Sequence, residues 1–174
     1  MSPGALLRIA NLTVARKPGR GPKVHPNPLA TSEGAAVALE IPEVAESELA
    51  GLQDLHRLVV ELVDRLLDGG GLESQAARLT ALARPSRAEA QLEIVGRRLG
   101  QRLSWTDSSL VAGLARRVVL ELGTIDPDRL RRCGRQECDL VFYDSTRSNT
   151  QRWHAESPCG QRERQRRHRA ARNA

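Results

Sequence analysis

The chain has 174 residues, 27 basic against 21 acidic side chains, a formal net charge of +6 and only 2% aromatic residues. That length suits one medium domain, or a domain plus a small module, and no apolar run of 18 residues offers a transmembrane helix. Three cysteines, an odd number, argue against a closed disulfide framework. Residues 1–10, with Arg8 as their one positive side chain and no long apolar region, are unlike a signal peptide, so a reduced, cytoplasmic setting is expected.

Residues 5–16 suit a short helix or a strand equally, because their apolar positions fit neither period alone. Residues 17–35, with Pro18, Gly19, Gly21, Pro22, Pro26 and Pro28, read as a long solvated loop. Residues 46–68 predict a helix. Leu49, Leu52, Leu55, Val59, Leu62, Val63 and Leu66 recur at three- and four-residue steps and so share one face, and Gly69 stops the pattern. His56 lies beside that stripe with no partner motif, as a structural or surface histidine. A second, shorter helix follows over 72–84, ended by Pro85.

The period then changes. Ala90, Leu92 and Ile94 alternate with Glu89, Gln91 and Glu93, and after a turn near Gly96–Gly100 Leu103 and Trp105 alternate again, as in a β-hairpin. Residues 107–122 return to helix, with Asp107 or Ser108 as cap and Val111, Leu114, Ala115, Val118, Val119 and Leu122 as the buried stripe. Asp126-Pro127-Asp128 is a turn. No phosphate-binding loop, nucleophile elbow or dinucleotide fingerprint occurs, so no catalytic constellation is assigned and the chain is not expected to be an enzyme.

Two asymmetries mark the C-terminus. Residues 131–174 hold 11 arginines against five acids, whereas the preceding 130 residues hold 16 bases and 16 acids, so the whole net charge sits in the last quarter. Such a segment is expected to meet a polyanion. The same segment contains every cysteine: Cys133, four residues, Cys138, fifteen residues, His154, four residues, Cys159. Two short spacers aim two pairs of donors at one point, and cysteine sulfur with histidine nitrogen is the donor set of a structural zinc ion. Cys133, Cys138, His154 and Cys159 are therefore the expected ligands of Zn2+, with His168 as the alternative to His154. The residues between predict a hairpin, Leu140–Tyr143 against Gln151–Trp153, with Phe142 and Trp153 as its small core. Four protein ligands leave no open position for water, which argues against catalytic zinc.

These residues resemble the CGNR-type zinc finger of bacterial transcription regulators. The resemblance rests on Cys133 and Cys138, Phe142-Tyr143-Asp144, Arg147, Arg152-Trp153-His154, Cys159-Gly160-Gln161-Arg162 and the basic segment that follows. His154 stands where that family usually has a third cysteine, and Gln161 replaces the motif asparagine. Upstream, length and helix order resemble the stress-linked regulatory domain called ABATE.

The expected fold is α+β: a mainly helical domain with a small hairpin over residues 1–125, a linker over 126–132, and a ββα-like zinc module over 133–174 ending in a basic helix. If the last ligand opens that helix, Arg162, Arg166, Arg169 and Arg172 share a face, flanked by Arg164 and Arg167. With Arg147 and Arg152 they are the expected nucleic-acid contacts. Double-stranded DNA is the expected partner, RNA or an acidic protein the alternative. A homodimer and a small-molecule effector at the N-terminal domain complete the expected partners, and the nucleoid the expected location.

Overall fold

The computed structural model describes residues 4–12, 27–96, 98–106, 109–135 and 138–172. Residues 5–10 resolve as helix α1 (Gly4–Ala10). Of the expected loop, residues 17–26 lie outside the described residues. Its remainder is not loop: a 3-10 turn (Pro28–Ala30) leads into α2 (Ser32–Leu39). The breaker composition here is start chemistry. Asn27 accepts from the Leu29 N–H, Pro28 opens the turn where no N–H is needed, and Thr31 accepts from the Gly34 N–H.

Helix α3 (Glu46–Asp68) is the central element, and it buries Leu52, Leu55, Leu58, Val59, Leu62 and Val63. Gly69 ends it in the left-handed conformation, φ 71°, as glycine can without penalty. Helix α4 (Glu73–Ala83) and helix α5 (Leu110–Leu122) complete the body. Ser109 caps α5 through the Ala112 N–H. The expected caps, Asp107 and Ser108, lie outside the described residues.

Acids on one helix also serve the start of another. Glu48 of α3 accepts from Leu110 and Val111, and Glu121 of α5 accepts from Ala5 and Leu6, which places carboxylates where the helix dipole favours them. The α3–α5 crossing is close because position 51 is glycine: a Cβ there would lie 2.9 Å from Val111 Cγ2. Together these helices build one apolar cluster that includes Leu6, Leu29, Leu39, Leu55, Leu79 and Val118.

The hairpin forms as β1 (Arg87–Val95) and β2 (Arg98–Thr106), antiparallel from Arg87↔Thr106 to Val95↔Arg98. The turn is tighter than expected, at Gly96 with φ 64°, and Gly100 lies within β2. The alternation does not mark a buried face: Leu92 and Ile94 are 74% and 73% exposed, because the strands pair with each other without an extended contact to the helices.

Residues 126–132 contain a 3-10 turn (Pro127–Arg129), capped by Asp126, and strand β3 (Leu130–Arg132). Strand β3 pairs antiparallel with β4 (Val141–Tyr143), Leu130 opposite Tyr143 and Arg132 opposite Val141. This corrects the expected hairpin: β4 pairs upstream of the first cysteine, and Gln151–Trp153 form no strand. Helix α6 (Gln161–Arg172) follows a wide turn over Glu156–Gly160. The result is a helical body with one hairpin, then a ββα-like C-terminal unit. Among the described residues no helix is long and apolar enough to cross a membrane.

Candidate metal centre

The connection between β3 and β4 is the first metal knuckle. Cys133 extends the ladder by donating its N–H to the Leu140 carbonyl at 2.9 Å, and the Cys138 N–H turns back to Arg135 O at 3.0 Å. Gly134 lets the second pair approach: its N–H bonds Arg152 O at 2.7 Å, and a Cβ there would lie 3.0 Å from that oxygen. His154 follows two residues later. Cys159 then sits fully buried in the turn that becomes α6, whose first N–H, from Gln161, bonds the Glu156 and Pro158 carbonyls.

The four donor atoms of Cys133, Cys138, His154 and Cys159 lie within 4.8 Å of one another. His154 Nδ1 is 3.4 Å from Cys138 Sγ and 3.7 Å from Cys159 Sγ. A tetrahedral zinc with bonds of ~2.3 Å to sulfur and ~2.0 Å to nitrogen requires sulfur–nitrogen edges of roughly 3.5 Å. The donor set and its spacing thus fit zinc, and all three cysteines are free thiols. His168 is not in this group; it lies on the exposed part of α6.

In the metal-free site burial holds the cysteines as neutral thiols and the histidine as a neutral imidazole. Burial pushes the Cys138 thiol up to about 12, opposed by a backbone hydrogen bond from Leu140 and reinforced by Cys133 and Cys159. Cys159 is raised in the same way, by burial and then Cys133. His154 is lowered, first by burial and then by the Arg135 cation, which favours the neutral imidazole that a metal needs. Zinc would displace the thiol protons and supply a bonded core to a segment whose own cluster is Cys133, Cys138, Leu140 and Cys159, with Trp153 packed against it.

One carboxylate organises the loop between the pairs. Asp144, 0% exposed, accepts from the Thr146 N–H and hydroxyl and from the Gln151 N–H, and Arg131 stands 3.8 Å away. Burial alone would raise its pKa; these donors outweigh burial and hold it below the usual range. The sequence signal was the Phe-x-Asp motif, which gave no role for the acid. Asn11 was not foreseen at all. Just past α1, its side-chain amide donates to Val141 O at 2.8 Å and accepts from Val141 N at 2.9 Å, joining β4 to the helical body. Arg132 adds an exposed ion pair to Asp64 of α3 at 2.6 Å.

The predicted arginines fall into two groups. Glu163, only 4% exposed, binds Arg166 at 2.7 Å and Arg167 at 3.4 Å, and Glu156 pairs with Arg164. Arg164 and Arg152 also lie 5.7 and 5.8 Å from the Trp153 ring centroid, a cation–π distance. Two acids and an indole thus hold four of these side chains. Arg147, in the exposed turn after Asp144, and Arg169 and Arg172, in the exposed last turns of α6, make no ion pair among the described residues. Arg162 is exposed at the start of α6, beside exposed Gln161.

No curated protein matches the chain. Residues 129–172, about a quarter of its length, match the model of the CGNR zinc finger, and this span contains β3, β4, all four donors and α6.

Proposed function

We propose that this chain is a zinc-dependent DNA-binding protein of the bacterial cytoplasm that acts in transcription regulation, its finger reading the nucleoid and its helical body serving as an ABATE-like regulatory domain. The observation that carries this reading is the union of charge and anchor: the entire +6 lies in the segment whose last metal donor, Cys159, leads directly into the arginine-rich α6. A metal-fixed helix can present guanidinium groups at set positions to phosphates and guanine edges. Four protein donors favour a binding module over catalysis.

Arg147, Arg162, Arg169 and Arg172 are the proposed phosphate contacts, while Arg164, Arg166 and Arg167 chiefly hold the helix in place. Neutralising about four phosphates gives a salt slope near −3.6, a loss on the order of a hundredfold between 50 and 200 mM salt. Titration of duplex DNA with and without a chelator tests the proposal; equal binding in both would overturn it. Arg169→Gln with Arg172→Gln should reduce the salt slope by roughly 1.8, whereas Arg167→Gln should change it less and destabilise α6 more. One finger gives mainly sequence-independent affinity, so a dimer is the expected binding species. The alternative is RNA or an acidic protein. Phe142 is buried and Trp153 is already flanked by two guanidinium groups, which leaves few platforms for stacking single-stranded bases. Competition between duplex DNA, RNA and an acidic polymer separates these partners.

A further inference from the structure

Arg135 lies inside the first knuckle, two residues after Cys133, and is only 7% exposed. Arginine is almost never fully buried without a charge or acceptor to meet. Its backbone carbonyl receives the Cys138 N–H at 3.0 Å, and its buried cation lies near enough to the donors to lower the His154 pKa and to oppose the rise that burial gives the Cys159 thiol. It is therefore tied to the donor cluster through the main chain at Cys138, with its side chain buried in the same knuckle. The cysteines themselves pack with Leu140 and Trp153.

The charge balance gives this contact a purpose. A zinc dication with three thiolates and a neutral imidazole carries one net negative charge. A buried charge of that kind is costly unless a cation faces it. We propose that Arg135 is the resident counter-cation of this Cys3His centre: a positioning residue that neutralises the loaded site and holds the Cys159 thiolate at the start of α6. A knuckle residue that only filled space would not need a charge, which is costly to bury.

The proposal rests on the zinc reading, and the test separates the two. The full chain, Arg135→Met and Arg135→Lys are loaded with zinc against a chromophoric chelator and with cobalt(II) for spectroscopy. Arg135→Met, similar in volume but uncharged, should weaken zinc by about 10–100-fold, as loss of an outer partner of a metal ligand does. Its thiolate-to-cobalt charge-transfer band should move to lower energy, because the thiolate loses a stabilising donor. Arg135→Lys keeps the charge and should restore most of the affinity. Equal affinity in all three proteins would overturn the inference. So would equal weakening in both variants with an unshifted band, which marks a packing role. Failure of the unaltered chain to take up cobalt or zinc would overturn the zinc reading itself, and this inference with it.

Discussion

Leu55 and Cys159 are buried to nearly the same degree, at 1% and 0% exposure, but for different reasons. Leu55 belongs to a cluster of hydrocarbon side chains drawn from α1 to α5, where stability scales with apolar area removed from water. Cys159 belongs to a cluster of three cysteines and one leucine with a single tryptophan against it, too small to offset the ordering of the finger. The body can be held by packing. The finger needs directed bonds, from the donor set, from Asp144 and from Asn11. The seam between these two strategies runs through one hairpin: Leu130 and Val141 pack with the body, while Cys133 and Leu140 pack with the donors.

The largest test of that contrast is metal removal. Chelation should withdraw an apparent contribution on the order of 10–16 kcal/mol from the finger. Hydrogen exchange should then show loss of protection in α6 and the knuckles, with α3 and α5 still protected. Uniform loss across both regions would mean that the body depends on the metal too. The converse experiment is Leu55→Ala, expected to destabilise the body by about 2–5 kcal/mol by denaturant unfolding. Zinc affinity measured below the unfolding transition should stay within about twofold.

Asn11→Ala strikes the seam. It leaves the buried N–H and C=O of Val141 without their partners, at a cost of about 2–4 kcal/mol. Because Asn11 belongs to the body and Val141 to the finger hairpin, the variant should lower both the thermal midpoint and zinc affinity, unlike Leu55→Ala. The smallest effect concerns Asp144. Its folded pKa lies below the ordinary value near 3.9, so its stabilisation is present above that value and is lost as pH falls through the folded pKa. Asp144→Asn should flatten the acid limb of a stability–pH curve below about pH 4, while leaving the limb at higher pH in place.

These contrasts separate what could be read along the chain from what could not. Helix α3 was legible to both of its ends because an apolar stripe along 23 residues repeats one local signal many times and Gly69 stops it. The cysteine and histidine spacing likewise indicated all four donors, since a knuckle needs only short spacers to converge. Helix α2 was obscured because Pro28 and Gly34 serve as start signals there, in a composition that elsewhere breaks helices. The exposed Leu92 and Ile94 show the limit of alternation: it describes a two-faced strand, and whether a face is covered depends on elements far away in sequence.

The helical body, the convergence of the four Cys/His donors and the concentration of positive charge at one end were readable along the chain, because periodicity, ligand spacing and charge are local or additive properties. Packing alone settled that β4 pairs with β3, that Asn11 bonds a strand 130 residues away, that Glu156, Glu163 and Trp153 hold four of the arginines, and that Arg135 is buried within the first knuckle. Each of these depends on groups brought together by the packing of distant segments, where one hydrogen bond or one buried charge selects a partner that no spacing rule specifies.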